Sequence, residues 1–124
     1  MERTPVNHVG WSVPFGFDQA TLVSSPTRWL ICSGQTSIDA DGNVAHAGDM
    51  RAQTDAALAS VAALLAEAGM TMDDIVRTTA YVTDVDAFLA RSGHAWPKAA
   101  LTLIGVSRLA YPELLVELEV IAAS

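Results

Sequence analysis

The last nine residues, VELEVIAAS, put two carboxylates on one side of a strand. Glu117 and Glu119 are two positions apart, so in an extended chain they share a face with Ile121 and stand about 7 Å from each other. A carboxyl partly withdrawn from water holds its proton more tightly than a solvated one, which suits it to general acid–base chemistry. The alternation is equally that of two solvated groups on an exposed face, and the strand pattern by itself favours that plainer reading.

Few other residues offer chemistry. Cys32 is the sole cysteine, which excludes an intrachain disulfide and a Cys-type zinc site. Within the apolar run RWLICSG it reads as a buried, inert thiol. His8, His46 and His94 are far apart and lack metal-ligand spacing, so no metal is assigned. Arg77 alternates outward on its strand, Arg108 opens a turn, and Asp84 and Asp86 read as helix caps. His94 and Lys98 fall in one connection, where the spacing demands no role of either.

Composition narrows the function. The 124 residues form one domain, residues 1–124, with enough chain for a real core. Hydrophobic residues make up 51% and charged ones 17%, more apolar surface than a monomer readily buries, which points to an oligomer. Fourteen acids against seven Lys and Arg give a net charge of −7. With no basic cluster, nucleic acid is not an expected partner, and an anionic membrane surface is no better. No apolar run approaches the roughly 20 residues that span a bilayer. The start, MERTPVNHVG, lacks the basic-then-apolar pattern of a signal sequence, so the expected location is cytoplasmic.

The elements that must position the carboxylates follow from pattern. QATLVSSPTRWLICSGQTSID reads as two strands around Ser24-Ser25-Pro26, the second running from Arg28 to Ser33. Asp41-Gly42-Asn43 marks a loop. A long helix follows, capped by Asp49 and ended by Gly69. Its stripe is Met50, Ala57, Leu58, Val61, Leu64, Leu65 and Ala68 at helical spacing. IVRTTAYVT, residues 75–83, is a strand. AFLARSGHAW is a short second helix stopped by Gly93 and Pro97, and ALTLIGVS and LLVELEVIA are the last two strands. The order β-β-α-β-α-β-β describes an α/β (α+β) domain with two helices on one face of a mixed sheet. The bare face then calls for cover from another subunit.

That order, with Ser33-Gly34-Gln35 after the second strand and VELEVIA at the end, resembles the RidA/YjgF family. Further matching pieces are Gly16-Phe17-Asp18-Gln19-Ala20, GDMRAQTDAALASVAALLAEAG, IVRTTAYVTDVDAF and SRLAYP, in one order from about Gly16 to Ala122. The resemblance implies a chorismate-mutase-like fold, a homotrimer, and clefts between subunits that take a small-molecule ligand. It implies hydrolysis of reactive enamines and imines, such as 2-aminoacrylate, to a keto acid and ammonia without cofactor or metal. Glu119 matches the acid thought to position the attacking water, with Glu117 nearer the solvated edge. Backbone groups of Ser33, Gly34 and Gln35 would orient the ligand.

Two departures bear on the ligand. The family's substrate-binding arginine lies seven residues before the RL turn, where this chain has Leu101. The tyrosine of the family's GPYSQA stretch is replaced by Phe17. Leucine cannot make the bidentate pair an arginine makes with a carboxylate, so small α-imino acids are expected to be poor substrates. The second helix and its loop are also shorter, by about two turns' worth of residues, which leaves Trp96 either at the cleft rim or packed on the shortened helix. The expected activity is hydrolysis of a neutral or apolar imine or enamine in a cleft lined by Phe17, Leu101 and Trp96. The alternative is a non-catalytic trimer that binds a metabolite or a partner protein.

Overall fold

A computed structural model describes residues 1–90 and 96–124. Eight regular elements follow in order: β1 (Glu2–Val6), β2 (Ala20–Ser24), β3 (Trp29–Ile31), α1 (Met50–Glu67), β4 (Ile75–Val82), α2 (Val85–Ala90), β5 (Ala100–Gly105) and β6 (Val116–Ala123). The expected β-β-α-β-α-β-β order is present, preceded by β1. This first strand is unexpected for a physical reason: ERTPV is almost entirely exposed, so no apolar alternation marks it. Gly93 and His94, read above into the end of the second helix and its connection, lie outside the described residues.

The main sheet is mixed, in the order β3-β6-β4-β5, with β4 and β5 parallel and the other pairs antiparallel. β1 and β2 form a separate antiparallel pair. Asp18, just before β2, bridges to Ala100 and donates its N–H to Ala99 O at 3.1 Å, which sets the β2 end beside the edge strand β5.

One face of the main sheet carries the core. Val116, Leu118, Val120 and Ala122 of β6 alternate inward and pack under α1 and α2 with Ala57, Val61, Leu65 and Phe88. Helix α1 starts where Asp49 accepts a hydrogen bond from Ala52 N at 3.0 Å. It ends before Gly69, whose φ of 71° is left-handed as expected of a helix terminator. The Arg28 guanidinium also donates to Ala68 O at 2.9 Å, satisfying a carbonyl at the helix end.

The predicted apolar stripe is mostly inward, but Leu64 is exposed, and two polar residues, Gln53 and Thr54, are fully buried instead. Gln53 Nε2 donates to Glu113 O at 2.9 Å and His46 O at 3.2 Å, while Leu115 N donates to Gln53 Oε1 at 2.8 Å. Thr54 Oγ1 donates to Met50 O at 2.7 Å. Both are satisfied, which is what makes their burial tolerable.

Among the described residues no helix covers the other face of the sheet. Trp29 and Ile31, 54% and 75% exposed, lie on it with Ile121. Among the described residues no helix is long and apolar enough to cross a membrane.

Candidate functional site

Glu119 stands on the uncovered face. Its position follows from register: Thr79 of β4 is its partner across the antiparallel ladder, and Tyr81 and Arg77 of β4 pair with Glu117 and Ile121. Outward-facing residues two apart on facing strands are diagonal neighbours. The diagonal is used here, because Tyr81 Oη donates to Glu119 Oε1 at 2.6 Å. That bond first, then partial burial, then the negative charges of Glu119 and Glu117, push the Tyr81 phenol above its ordinary range; Arg77 pulls the other way. The phenol is therefore a proton-holding donor that fixes one oxygen of a half-buried acid.

A pocket of about 220 Å³ opens beside this pair, lined by Glu119, Arg77, Thr79, Cys32, Ile31 and Ile121. Arg77 is exposed, as its outward alternation predicts, but it lines the acid's own pocket, with Nη2 donating to Thr102 Oγ1 at 3.0 Å. Cys32 is buried and burial pushes its thiol up, which keeps it neutral and unreactive.

The 33–35 segment continues β3 along β6. Gln35 and Leu118 exchange backbone hydrogen bonds at 2.7 and 2.9 Å, and Gln35 Nε2 donates to Ser33 O at 3.0 Å. Gly34 leaves room for Glu117: a Cβ built there would overlap Cγ, Cδ and Oε1 of that side chain and displace it. Glu117 thus lies across the loop that the sequence singled out, half-buried like Glu119.

Phe17, Leu101 and Trp96 are elsewhere. Leu101 pairs with Thr78, one residue from Thr79, so it turns to the side opposite Glu119. It lines a cavity of about 670 Å³ with Phe17, Trp96, Phe88, Trp11 and Asp18. Trp96 packs on Phe88 with ring centroids 5.6 Å apart and lines this cavity. Within the chain the structure therefore collects the sequence-predicted residues into two groups: Glu119 with the 33–35 segment, and Phe17 with Leu101 and Trp96. Tyr81, Arg77 and Asp18 are additions to them. For Tyr81 a usable signal existed in the alternation of IVRTTAYVT against VELEVIA; for Asp18 none did, since its burial depends on the N-terminal segment. No group of His, Cys, Asp and Glu able to hold a metal occurs among the described residues.

Comparison with known proteins bears on these groups together. Residues 17–124 match the family model described as Endoribonuclease L-PSP. A RutC family protein from Pyrococcus abyssi is 31% identical over 116 residues, covering 88% of this chain and 87% of its own. A Yersinia pestis protein of the conserved Rid family, YyfB, of unknown function, superposes with a TM-score of 0.86 at 36% identity over all of both chains. The Escherichia coli yjgF gene product does so with a TM-score of 0.62 at 28% identity, covering 86% of each.

Proposed function

The chain belongs to the Endoribonuclease L-PSP family, the Rid and YjgF proteins, and on that premise we propose that it hydrolyses an imine or enamine other than a small α-imino acid. The observation that carries this reading is the 2.6 Å hydrogen bond by which Tyr81 fixes Glu119 in a half-buried setting. With Oε1 turned to the phenol, the second oxygen is offered to a water. Water attacks the carbon of the protonated imine, which an enamine reaches by protonation at carbon, as one water proton passes to Glu119, giving a neutral carbinolamine. Glu119 returns that proton to nitrogen, the C–N bond breaks as the hydroxyl proton passes to Glu119 and on to the departing ammonia, and a carbonyl compound and ammonium leave. A positioned general base of this kind contributes about 10²- to 10⁴-fold.

The ligand body belongs in the cavity of Phe17, Leu101 and Trp96, which offers no guanidinium at the Leu101 position. Since Glu119 and Leu101 face opposite sides of one sheet, they meet around one ligand only across a seam between two protomers. A homotrimer with intersubunit clefts supplies that seam, and the exposed Trp29 and Ile31 give the uncovered face a reason to be covered. The family's ribonuclease description fits this chain poorly, because a net charge of −7 repels a phosphate backbone.

The test is ammonia and carbonyl release from a panel of imines, with Glu119→Gln alongside. Turnover is expected to fall at least 100-fold in the variant while ligand-induced thermal shifts persist. No turnover in the wild type, with thermal shifts in both proteins, identifies a non-catalytic binding trimer instead. Imino-acid turnover equal to that of an arginine-bearing relative refutes the substrate claim.

A further inference from the structure

The larger cavity carries a carboxylate, that of Asp18, on an otherwise mainly apolar wall. In the resemblance drawn above, Leu101 falls at the position of the family's arginine. Asp18 is only 8% exposed and lines the cavity. It is built in rather than incidental. Asn7 Nδ2 donates to its Oδ1 at 3.0 Å, its own N–H is tied to Ala99 O, and Gln19 N in turn fixes Asn7 Oδ1 at 2.9 Å. Among the described residues the side-chain donor to this carboxylate is a neutral amide, which satisfies a lone pair without supplying countercharge. A buried carboxylate in that position favours a cation from solution.

The walls agree with the charge. Trp11 and Phe17 meet edge-to-face with centroids 5.6 Å apart, and Phe88 and Trp96 close the other side at the same separation. Aromatic faces carry negative potential and attract organic cations within about 6 Å of the ring centroid.

We infer that this cavity is a binding site for a hydrophobic organic cation, a protonated amine or iminium on an aromatic or branched apolar body. Asp18 is its counter-ion and the two aromatic pairs are its walls. Turnover of such a cation rests on the imine-hydrolysis reading above; its binding does not. In that reaction the Asp18 carboxylate also favours the protonated imine, the form whose carbon is the more electrophilic.

Calorimetric titration with phenethylammonium, 2-phenylethanol and 3-phenylpropionate tests this with three head groups on similar bodies. The ammonium is expected to bind about 10- to 100-fold more tightly than the alcohol, and the carboxylate weakest of all. Asp18→Asn keeps the oxygen that Asn7 holds and should make ammonium and alcohol equal. Leu101→Arg, a second route that leaves Asp18 in place, should weaken the ammonium by a similar factor and strengthen the carboxylate. Ammonia release from the imine panel is measured separately on the wild type, so that absent hydrolysis with the ranking intact, and a lost ranking, are read apart. Equal wild-type affinity for ammonium and carboxylate, or an undiminished ammonium preference in Asp18→Asn, overturns the inference.

Discussion

The two sides of the central sheet are built by different rules. On the Glu119 side every functional group comes from strand register: Tyr81, Arg77 and Glu119 sit on adjacent strands, and pairing alone brings them together. On the Leu101 side the cavity is assembled from pieces distant in sequence, with Trp11, Phe17 and Asp18 from before β2, Phe88 from α2 and Trp96 from the connection to β5. The register-built pocket sets an acid and a guanidinium among Ile31, Cys32, Val120 and Ile121 on paired strands. The cavity gathered from loops and a short helix is walled mainly by aromatic and aliphatic side chains.

The sharpest way to break this contrast is through the wall the two sides share. Leu118 is fully buried beneath the sheet, and its backbone pairs with Gln35 of the 33–35 segment. Leu118→Ala should lower unfolding free energy by about 2–5 kcal/mol in denaturant titration and impair both sites together. Tyr81→Phe is milder and touches one side only. It should lower kcat about tenfold with KM nearly unchanged, because the ring remains and only the hydrogen bond to Glu119 is lost. A parallel rise in KM would mean that Tyr81 contacts ligand rather than orienting the acid.

The smallest effect is a titration. The folded chain raises the Tyr81 phenol, chiefly through its bond to Glu119. The proton is then held more tightly in the folded than in the unfolded chain. The resulting stabilisation is complete below the ordinary phenol value of about 10 and fades as pH rises through the raised one. Alkaline denaturation should show this loss in the wild type and not in Tyr81→Phe, and ultraviolet titration should find the phenol ionising at lower pH in Glu119→Gln.

The same contrast explains what the amino-acid order disclosed. β6 and α1 were legible because each buries one face and writes that face into its period, and β4 because it is a β-branched and apolar run buried at most positions; so was the side of the sheet on which Glu119 lies. β1 was not legible, since a strand exposed on nearly every residue has no pattern to read. Gln53 and Thr54 escaped an apolar-stripe reading because their burial depends on hydrogen-bond partners that only the folded chain supplies. Phe17, Leu101 and Trp96 were placed near a ligand by resemblance, whereas Asp18 became visible only when Asn7, from the segment after β1, was seen to hold it.

Gln53 has a further consequence for the acid on the far side of the sheet. Its amide grips the backbone at Glu113 and Leu115, immediately ahead of the point where β6 begins at Val116. Sliding that strand by one residue would swing Glu119 into the oily interior and bring Leu118 out to water. It would also tear open two bonds in a place where no solvent can replace them. A buried helix side chain thus acts as the index mark from which the position of Glu119 is counted.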